Sequence, residues 1–281
     1  MKKEIVLSKR MEAVVNMVSP QSLVVGNGPV TVADIGCDHA YVSIALAGRG
    51  LAERVIAMDV RRGPLQIAAQ NVLDYGMDKE IELRLSDGME KLLPGEAEII
   101  VIAGMGGLLM QKILDAGRNV WNGSGKTEGF PPDGVTFKRP VFVLQPQSDT
   151  EKVRELLLAY EYGIEREQWL IDEGKYYTVI RAVPIEQHPE QLCQDGGACM
   201  EEKYSGVELR YGKYGLQNRD AVLYKFLQRE YEVLERITAN LEEAVADAGQ
   251  KKRDIPQKTM ERLCSVKEEQ HLNQMAFDYF M

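Results

Sequence analysis

Between Val30 and Val183 short β-branched runs alternate with helical stretches, and that alternation leaves few folds open. Val30–Ile35, Arg54–Val60, Ile81–Leu85, Ile99–Ala103 and Val141–Gln145 read as strands. Tyr41–Ala47, Pro64–Tyr75, Leu108–Ala116 and Glu151–Tyr160 read as helices, with Pro64 near a first turn and Gly76 as a stop. Ile164–Leu170 and Tyr176–Val183 flank Glu173-Gly174, and a turn that short joins only antiparallel strands. The expected architecture is α/β: a doubly wound, mostly parallel seven-stranded sheet.

The flanks differ from this middle. Residues 1–19 read as an amphipathic helix, with Ile5, Leu7, Met11, Val14, Val15 and Val18 mostly on one face and Lys2, Lys3, Lys9 and Arg10 away from it. Residues 118–138 are rich in Gly and Pro and read as a mobile loop; residues 184–215 read as irregular. From Leu216 the pattern changes. Leu223, Leu227, Leu234, Ile237, Leu241, Ala244 and Ala248 follow a heptad-like spacing, with Tyr231 beside it. Gly249 and Lys251–Arg253 mark a helix end, and Pro256 opens a second helix carrying Met260, Leu263 and Val266. The expectation is an antiparallel helical hairpin, and a division into domains at 1–183 and 184–281.

Composition excludes several classes. Apolar residues are 44% and charged residues 27% of 281, ordinary for a globular chain and unlike disordered or collagenous sequences. No apolar run approaches the roughly 18 residues of a membrane span, and MKKEIVLSKRMEAVV has no apolar signal core, so a cytoplasmic protein is expected. The four cysteines (Cys37, Cys193, Cys199, Cys264) form no CxxC, and the three histidines (His39, His188, His271) have no ligand spacing, so no metal is expected. The net charge is −9, and neither 1–183 nor 184–281 is basic as a whole. That opposes a general nucleic-acid coat and leaves room for a local basic patch.

The chemistry concentrates at the strand ends. Ala33-Asp34-Ile35-Gly36-Cys37-Asp38-His39-Ala40-Tyr41 lies where the first strand meets the first helix, and Gly36 permits a tight turn beside free helix N–H groups. A dinucleotide-binding G-x-G-x-x-G would have its second glycine at Asp38. A carboxylate there repels pyrophosphate and suits a cationic or zwitterionic ligand, which favours S-adenosyl-L-methionine over NAD. Asp59, followed by Val60, ends strand two and can accept from both ribose hydroxyls. Asp87, in Ser86-Asp87-Gly88, follows strand three and can accept from an adenine amino group, or serve only as a turn. Strand four ends in Ala103-Gly104-Met105-Gly106-Gly107, which permits close backbone approach to a ligand. The Asn/Asp-Pro-Pro-aromatic motif of exocyclic-amine methyltransferases is absent there. Gln145-Pro146 ends strand five on the same edge, in reach of substrate or merely in a loop.

In combination VADIGCDHAYVSIAL, VIAMDVRRGPLQIAAQN, SDGMEKL, IVIAGMGGLLMQKIL, VLQPQSD and DEGKYYTVIRA resemble the bacterial TrmK family, tRNA methyltransferases that modify N1 of the adenine at tRNA position 22. The resemblance spans residues 5–183, and the later hairpin, preceded by Leu209-Arg210-Tyr211-Gly212, is similar to that family's C-terminal coiled coil. It implies a class I methyltransferase-like Rossmann fold, S-adenosyl-L-methionine as donor, S-adenosyl-L-homocysteine as product and tRNA as partner. On this reading Asp34, Gly36, Cys37, Asp59, Val60, Asp87, Gly88, Ala103, Gly104, Met105 and Gly106 are candidates for holding the cofactor. Asp38, His39 and Tyr41 are candidates for catalysis: Asp38 as acceptor for the target adenine's amino group or as anchor of the cofactor's methionine part, His39 as a donor or a helix-start residue, Tyr41 as a stacking or core residue. Lys9, Arg10, Arg61, Gly107, Gln145 and Pro146 are candidates for the substrate side, with the basic residues at a phosphate-binding rim or on a solvated face. Lys251, Lys252 and Arg253 could grip tRNA, while the hairpin seam buries itself within a monomer or joins a dimer. The alternatives are a class I methyltransferase with another acceptor, or a non-catalytic cofactor- or tRNA-binding adaptor.

Overall fold

The computed structural model describes residues 5–18, 30–123, 137–187, 204–250 and 255–281. Lys2, Lys3 and Lys251–Arg253 lie outside these. The chain divides into two compact units, Met1–Glu202 and Lys203–Met281.

The first unit is a seven-stranded sheet in the order β3-β2-β1-β4-β5-β7-β6. Strands β1 (Thr31–Ile35), β2 (Arg54–Asp59), β3 (Ile81–Leu85), β4 (Ile99–Met105) and β5 (Val141–Pro146) run parallel. β1, β2, β5 and the Ile99–Ile102 part of β4 are almost wholly buried because helices cover both faces, which is why they read as continuous apolar runs. β6 (Tyr162–Asp172) and β7 (Lys175–Pro184) form the expected hairpin, with β7 antiparallel to β5. Its turn residues Glu173 (φ 47°) and Gly174 (φ 74°) are both left-handed, the geometry that matches strand twist. Chain order reverses about β1, which has β2 on one side and β4 on the other. The carboxyl ends of β1 and β4 thus form the switch point at which open α/β sheets bind ligands.

The connecting helices are α2 (Tyr41–Gly48), α3 (Arg62–Asp74), α4 (Gly107–Ala116), α5 (Arg118–Trp121) and α6 (Thr150–Ala159). The leading helix, α1, is shorter than the periodicity predicts. It spans Lys9–Val18, and Ile5–Ser8 approach it without helical structure. Its carboxyl end is tied to the sheet where Arg181 of β7 donates to the Met17 carbonyl at 2.7 Å and pairs with Glu165 at 2.6 Å.

The expected mobile loop at 118–138 is corrected over its first part. Arg118–Trp121 is helical, and Trp121 is fully buried. Its indole Nε1 donates to the Leu114 carbonyl at 2.8 Å, its ring meets Phe142 and Tyr162 edge-on, and the Arg139 guanidinium lies 4.4 Å from the Tyr162 ring centroid. The composition that read as loop lies mostly in residues 124–136, outside the described residues.

In the second unit the stretch expected to be irregular contains α7 (Gly206–Tyr211) and α8 (Lys213–Gln217). Ser205 and Glu208 cap α7 reciprocally, a local signal that sequence reading passed over. Then α9 (Ala221–Gln250) and α10 (Gln257–Asp278) pair antiparallel: Asn273 reaches Leu227, Gln270 reaches Glu235, and Lys267 reaches Glu242. Leu223, Leu227 and Leu234 are buried as expected, with Leu263, Val266 and Ala276 buried on α10. The seam drifts from the heptad further along. Thr238 is buried where Ile237 was expected to be the inner residue, Ala244 is exposed beside half-buried Val245, and Met260 is exposed. A straight α-helix turns through 3.6 residues, so a seam read at 3.5 slips by about 20° each heptad.

Candidate active site

The chain leaving β1 is pinned to β2, because the Gly36 and Cys37 N–H groups both donate to the Met58 carbonyl at 2.7 and 2.9 Å. Gly36 adopts φ +76° to make that turn. Asp38 (φ 50°) and Ala40 (φ 60°) are also left-handed, without being glycine. Such residues carry backbone strain of about 1 kcal/mol each and persist where their surroundings over-determine them. Here the Asp38 N–H donates to Asp59 Oδ2 at 3.2 Å, the Ala40 N–H to the Cys37 carbonyl at 2.8 Å, and Asn71 Nδ2 to the His39 carbonyl at 3.0 Å.

Two acids lie beneath this turn. Asp34 is buried and accepts from Ser43 Oγ at 2.6 Å. Burial pushes its carboxyl up to about 6; Asp59 nearby adds to the rise and the Ser43 hydrogen bond opposes it. Asp59 is also buried, with Oδ1 accepting the Arg61 N–H at 2.8 Å and Oδ2 accepting from Asp38. Arg61 arches over both, its Nη2 3.4 Å from Asp38 Oδ1 and its Nε 3.6 Å from Asp59 Oδ1. His39 Nε2 stands 3.8 Å from Asp38 Oδ1. Burial, then Asp34, Asp59 and Asp38, push the Cys37 thiol well above its usual range, so it stays protonated and packs as an apolar group.

At the facing edge, the ladder between β4 and β5 shifts register between Ala103 and Met105. Gly104 sits in that irregularity at φ +76°, and its N–H donates to Gln145 Oε1 at 3.1 Å. Gln145 is fully buried, and its Nε2 donates to the Pro146 carbonyl at 3.0 Å. Its Oε1 also accepts Arg10 Nη1 at 2.8 Å. Gly107 opens α4 so close to the following loop that a β-carbon there would lie 2.5 Å from the Ser148 carbonyl oxygen.

These elements enclose a cavity of about 580 Å³, within the range of small-molecule sites. Its lining brings together Arg10, Asp34, Gly36, Cys37, Asp38, His39, Tyr41, Asp59, Val60, Arg61, Asp87, Gly88, Ala103, Gly104 and Met105, all candidates from sequence. Gly106, Gly107, Gln145 and Pro146 are not in the lining; Gln145 and Gly107 instead brace the wall. Lys9 is exposed on the first residue of α1, away from the cavity. Sequence reading missed Met11, Val14, Ile35, Val42, Ser86, Leu109, Ile113 and Gln147. Met11 and Val14 read as core residues of α1, Leu109 and Ile113 are four apart on α4, and Gln147 carries no local signal.

The donor set suits S-adenosyl-L-methionine. Four carboxylates line the cavity, which fits a sulfonium and an ammonium and opposes pyrophosphate. Each oxygen of Asp59 already accepts one N–H and keeps lone-pair capacity for a ribose hydroxyl. Val60, Met105, Leu109 and Ile113 supply apolar walls for a purine. Among the described residues no three His, Cys, Asp or Glu side chains could hold a metal ion, and no helix is long and apolar enough to cross a membrane.

Residues 7–180 match the model of a methyltransferase domain family, and residues 133–263 match the family described as tRNA (adenine(22)-N(1))-methyltransferase. The chain is 30% identical over 256 residues to a tRNA (adenine(22)-N(1))-methyltransferase of Bacillus subtilis (strain 168), across 90% of this chain and 92% of that one. It is similar to the crystal structure of the B. subtilis m1A22 tRNA methyltransferase TrmK (TM-score 0.74, 25% identity, 97% of this chain and 99% of that one). It is also similar to Streptococcus pneumoniae Sp1610, a putative tRNA (m1A22) methyltransferase solved in complex with S-adenosyl-L-methionine (TM-score 0.67, 26% identity, 95% and 100%).

Proposed function

Because this chain belongs to the tRNA (adenine(22)-N(1))-methyltransferase family, we propose that it transfers the methyl group of S-adenosyl-L-methionine to N1 of the adenine at position 22 of tRNA, with S-adenosyl-L-homocysteine as the second product. The observation that carries this reading is the gathering of Asp34, Asp38, Asp59 and Asp87 with Gly36 and Gly104 on one cavity at the sheet's switch point.

When bound, S-adenosyl-L-methionine supplies an electrophilic methyl group. Asp59 takes the ribose hydroxyls and Asp87 the cofactor's adenine amino group. Gly36 and Gly104, bare of β-carbons, let the backbone close on the ligand. Adenine N1 carries an in-plane lone pair at neutral pH, so no base is needed before transfer. The chain's task is alignment, together with an acceptor near the charge that grows on the purine. Asp38, more than half exposed at the cavity mouth, is that acceptor through the N6 amino group, or anchors the methionine ammonium. Tyr41 and His39, whose ring centroids lie 6.1 Å apart edge-on, offer a stacking wall for an unstacked base. Arg10 and Arg61 on the cavity form a phosphate-binding rim. The hairpin buries its own apolar seam, which favours a monomer, and the enzyme works in the cytoplasm with tRNA as its partner.

The test is transfer of labelled methyl to unmodified tRNA, with the product nucleoside identified by mass spectrometry. A transcript carrying guanine at position 22 is the control. Methyl on N1 of that adenine alone is expected. Transfer to another atom, or to the control equally, moves the reading to a different acceptor. Cofactor binding without any transfer moves it to an adaptor.

A further inference from the structure

Arg10 and Gln145 are 135 positions apart in sequence and meet at 2.8 Å on the cavity wall. Gln145 is fully buried, and its single carbonyl oxygen accepts from two directions at once: from the Gly104 N–H inside the β4 irregularity and from Arg10 Nη1. Its amide nitrogen is committed to the Pro146 carbonyl, so the side chain has one orientation in which all its polar groups are met. The guanidinium is gripped further. A β-carbon on Gly104 would lie 3.2 Å from Arg10 Nη1 and the Tyr177 ring centroid lies 5.6 Å from Arg10 Cζ, while the backbone N–H of Arg10, not its guanidinium, donates to Asp172 Oδ2 at 3.3 Å. Only Nη1 of this guanidinium is used. Among the described residues Nε and Nη2 have no hydrogen-bond or ion-pair partner, although Arg10 lines the cavity and no carboxylate neutralises its charge.

We propose that Gln145 is a positioning residue which holds Arg10 as the anion-recognition group of the cavity, so that its unused donors receive a phosphate or carboxylate oxygen. This rests on the reading of the cavity as a methyl-transfer site, where two bound molecules bring such an oxygen: the RNA backbone beside the target adenine, and the carboxylate of the cofactor. A fixed guanidinium binds an oxyanion with less ordering cost than a free one, because its rotamers are already restricted. Gln145 thereby links the ligand wall at Gly104 to the anion site with no contact of its own to either ligand.

The experiment compares Arg10→Ala, Gln145→Leu, the double variant and Gln145→Glu, which keeps an acceptor oxygen for Arg10 and Gly104 and gives up the donor to the Pro146 carbonyl. Calorimetry with S-adenosyl-L-homocysteine, which carries the same carboxylate, reads the cofactor side. Fluorescence titration with unmodified tRNA at several salt concentrations reads the RNA side, and kcat and KM are measured alongside. Expected for both Arg10→Ala and Gln145→Leu is a loss of about tenfold in one of the two affinities. The double variant is no worse than Arg10→Ala, and Gln145→Glu restores most of the loss. Weakened tRNA binding with a shallower salt slope assigns the anion to RNA phosphate; weakened S-adenosyl-L-homocysteine binding at unchanged tRNA affinity assigns it to the cofactor. The proposal is overturned if both affinities of Arg10→Ala stay within about twofold of the parent, or if the losses add in the double variant. Should Gln145→Leu fail to fold, Arg10→Ala together with Gln145→Glu still decides. Because both titrations read binding, they stand even if the parent protein methylates no tRNA, an outcome that would defeat the functional reading alone.

Discussion

Gly36 and Met105 meet across the switch point so closely that a β-carbon on Gly36 would lie 2.0 Å from Cε of Met105. The two residues close the cavity from the ends of neighbouring strands, Gly36 just past β1 and Met105 ending β4, and the absent side chain at 36 is what lets Met105 lie flat against the turn.

Gly36→Ala is therefore expected to act twice. The left-handed φ of +76° costs an alanine about 1–2 kcal/mol of stability. Met105, the far end of a flexible chain, yields by swinging away and changes the wall against which the cofactor packs. A fall of at least about tenfold in S-adenosyl-L-homocysteine affinity is expected, with a lowered urea midpoint. Unchanged affinity in calorimetry would dissociate Gly36 from the ligand.

Asp59 receives two backbone N–H groups, from Asp38 and Arg61, and so organises the turn as well as offering itself to a ribose. Asp59→Ala should weaken S-adenosyl-L-homocysteine binding by about tenfold or more, since hydrogen bonds to charged groups are worth about 1.5–3 kcal/mol. The decisive comparison is with 2′,3′-dideoxy cofactor analogues: the gap between parent and variant should shrink on these, leaving only the part due to the loosened turn. A variant that still discriminates against them as the parent does would remove the ribose assignment.

Asp38 is more than half exposed, and its removal leaves no buried partner stranded. Asp38→Ala should fold normally by circular dichroism and lose methyl transfer by about a hundredfold, in the range expected for a group that meets charge in the transition state. If kcat falls while S-adenosyl-L-homocysteine affinity holds, Asp38 acts on the acceptor; if affinity falls instead, it anchors the methionine part. Near-parental transfer would exclude it from the mechanism.

The raised carboxyl of Asp34 makes a pH prediction with a definite sign. A group protonated more readily in the folded chain than in the unfolded one supports the fold at low pH, and that support is lost as pH rises from the ordinary carboxylate value through about 6. Asp34→Asn removes the dependence while keeping an acceptor for Ser43. The variant should gain on the parent in unfolding free energy from urea curves between pH 4.5 and pH 7, by about 2 kcal/mol at 1.36 kcal/mol per pH unit. Parallel stability curves would show that Asp34 titrates normally.

In the second unit Asn273 is fully buried in the hairpin seam, donating to the Leu227 carbonyl at 3.2 Å and to Glu230 Oε2 at 2.9 Å. Glu230 also accepts from Tyr211 Oη at 2.6 Å and from Arg210 Nη2 at 2.9 Å, so a single carboxylate ties α7, α9 and α10 together. Asn273→Ala should cost about 2 kcal/mol through the lost bonds and the space left behind. S-adenosyl-L-homocysteine affinity should not move, because every residue lining the cavity belongs to the first unit; a parallel loss of affinity would contradict that assignment.

Much of this was legible before any coordinates. The strand β3 lies where its alternating apolar residues Ile81, Leu83 and Leu85 placed it, and β1, β2, β4 and β5 differ by one or two residues at their ends. Asp34, Gly36, Asp38 and Asp59 drew notice because a glycine or an acid at a strand end is unusual on local grounds. Trp121 was hidden because its neighbours are turn-formers, yet its indole finds the Leu114 carbonyl and four aromatic or cationic partners from later segments, Phe142, Tyr160, Tyr162 and Arg139. Ala244 was misplaced in the hairpin because heptad spacing approximates a helix that turns every 3.6 residues.

Sequence alone determined the alternation of elements, the parallel character of the sheet and the cluster of acids on its carboxyl edge, because propensity and burial period are local properties that a short window displays. Tertiary structure alone decided that Arg10 lies on Gln145, that Gln145 holds the Gly104 N–H, and that Gly106, Gly107 and Pro146 stand outside the cavity lining. Those contacts exist only once α1 and the ends of β4 and β5 are packed together. No local pattern encodes a meeting between residues 135 positions apart, since its energy comes from burial and hydrogen bonds that only the finished packing supplies.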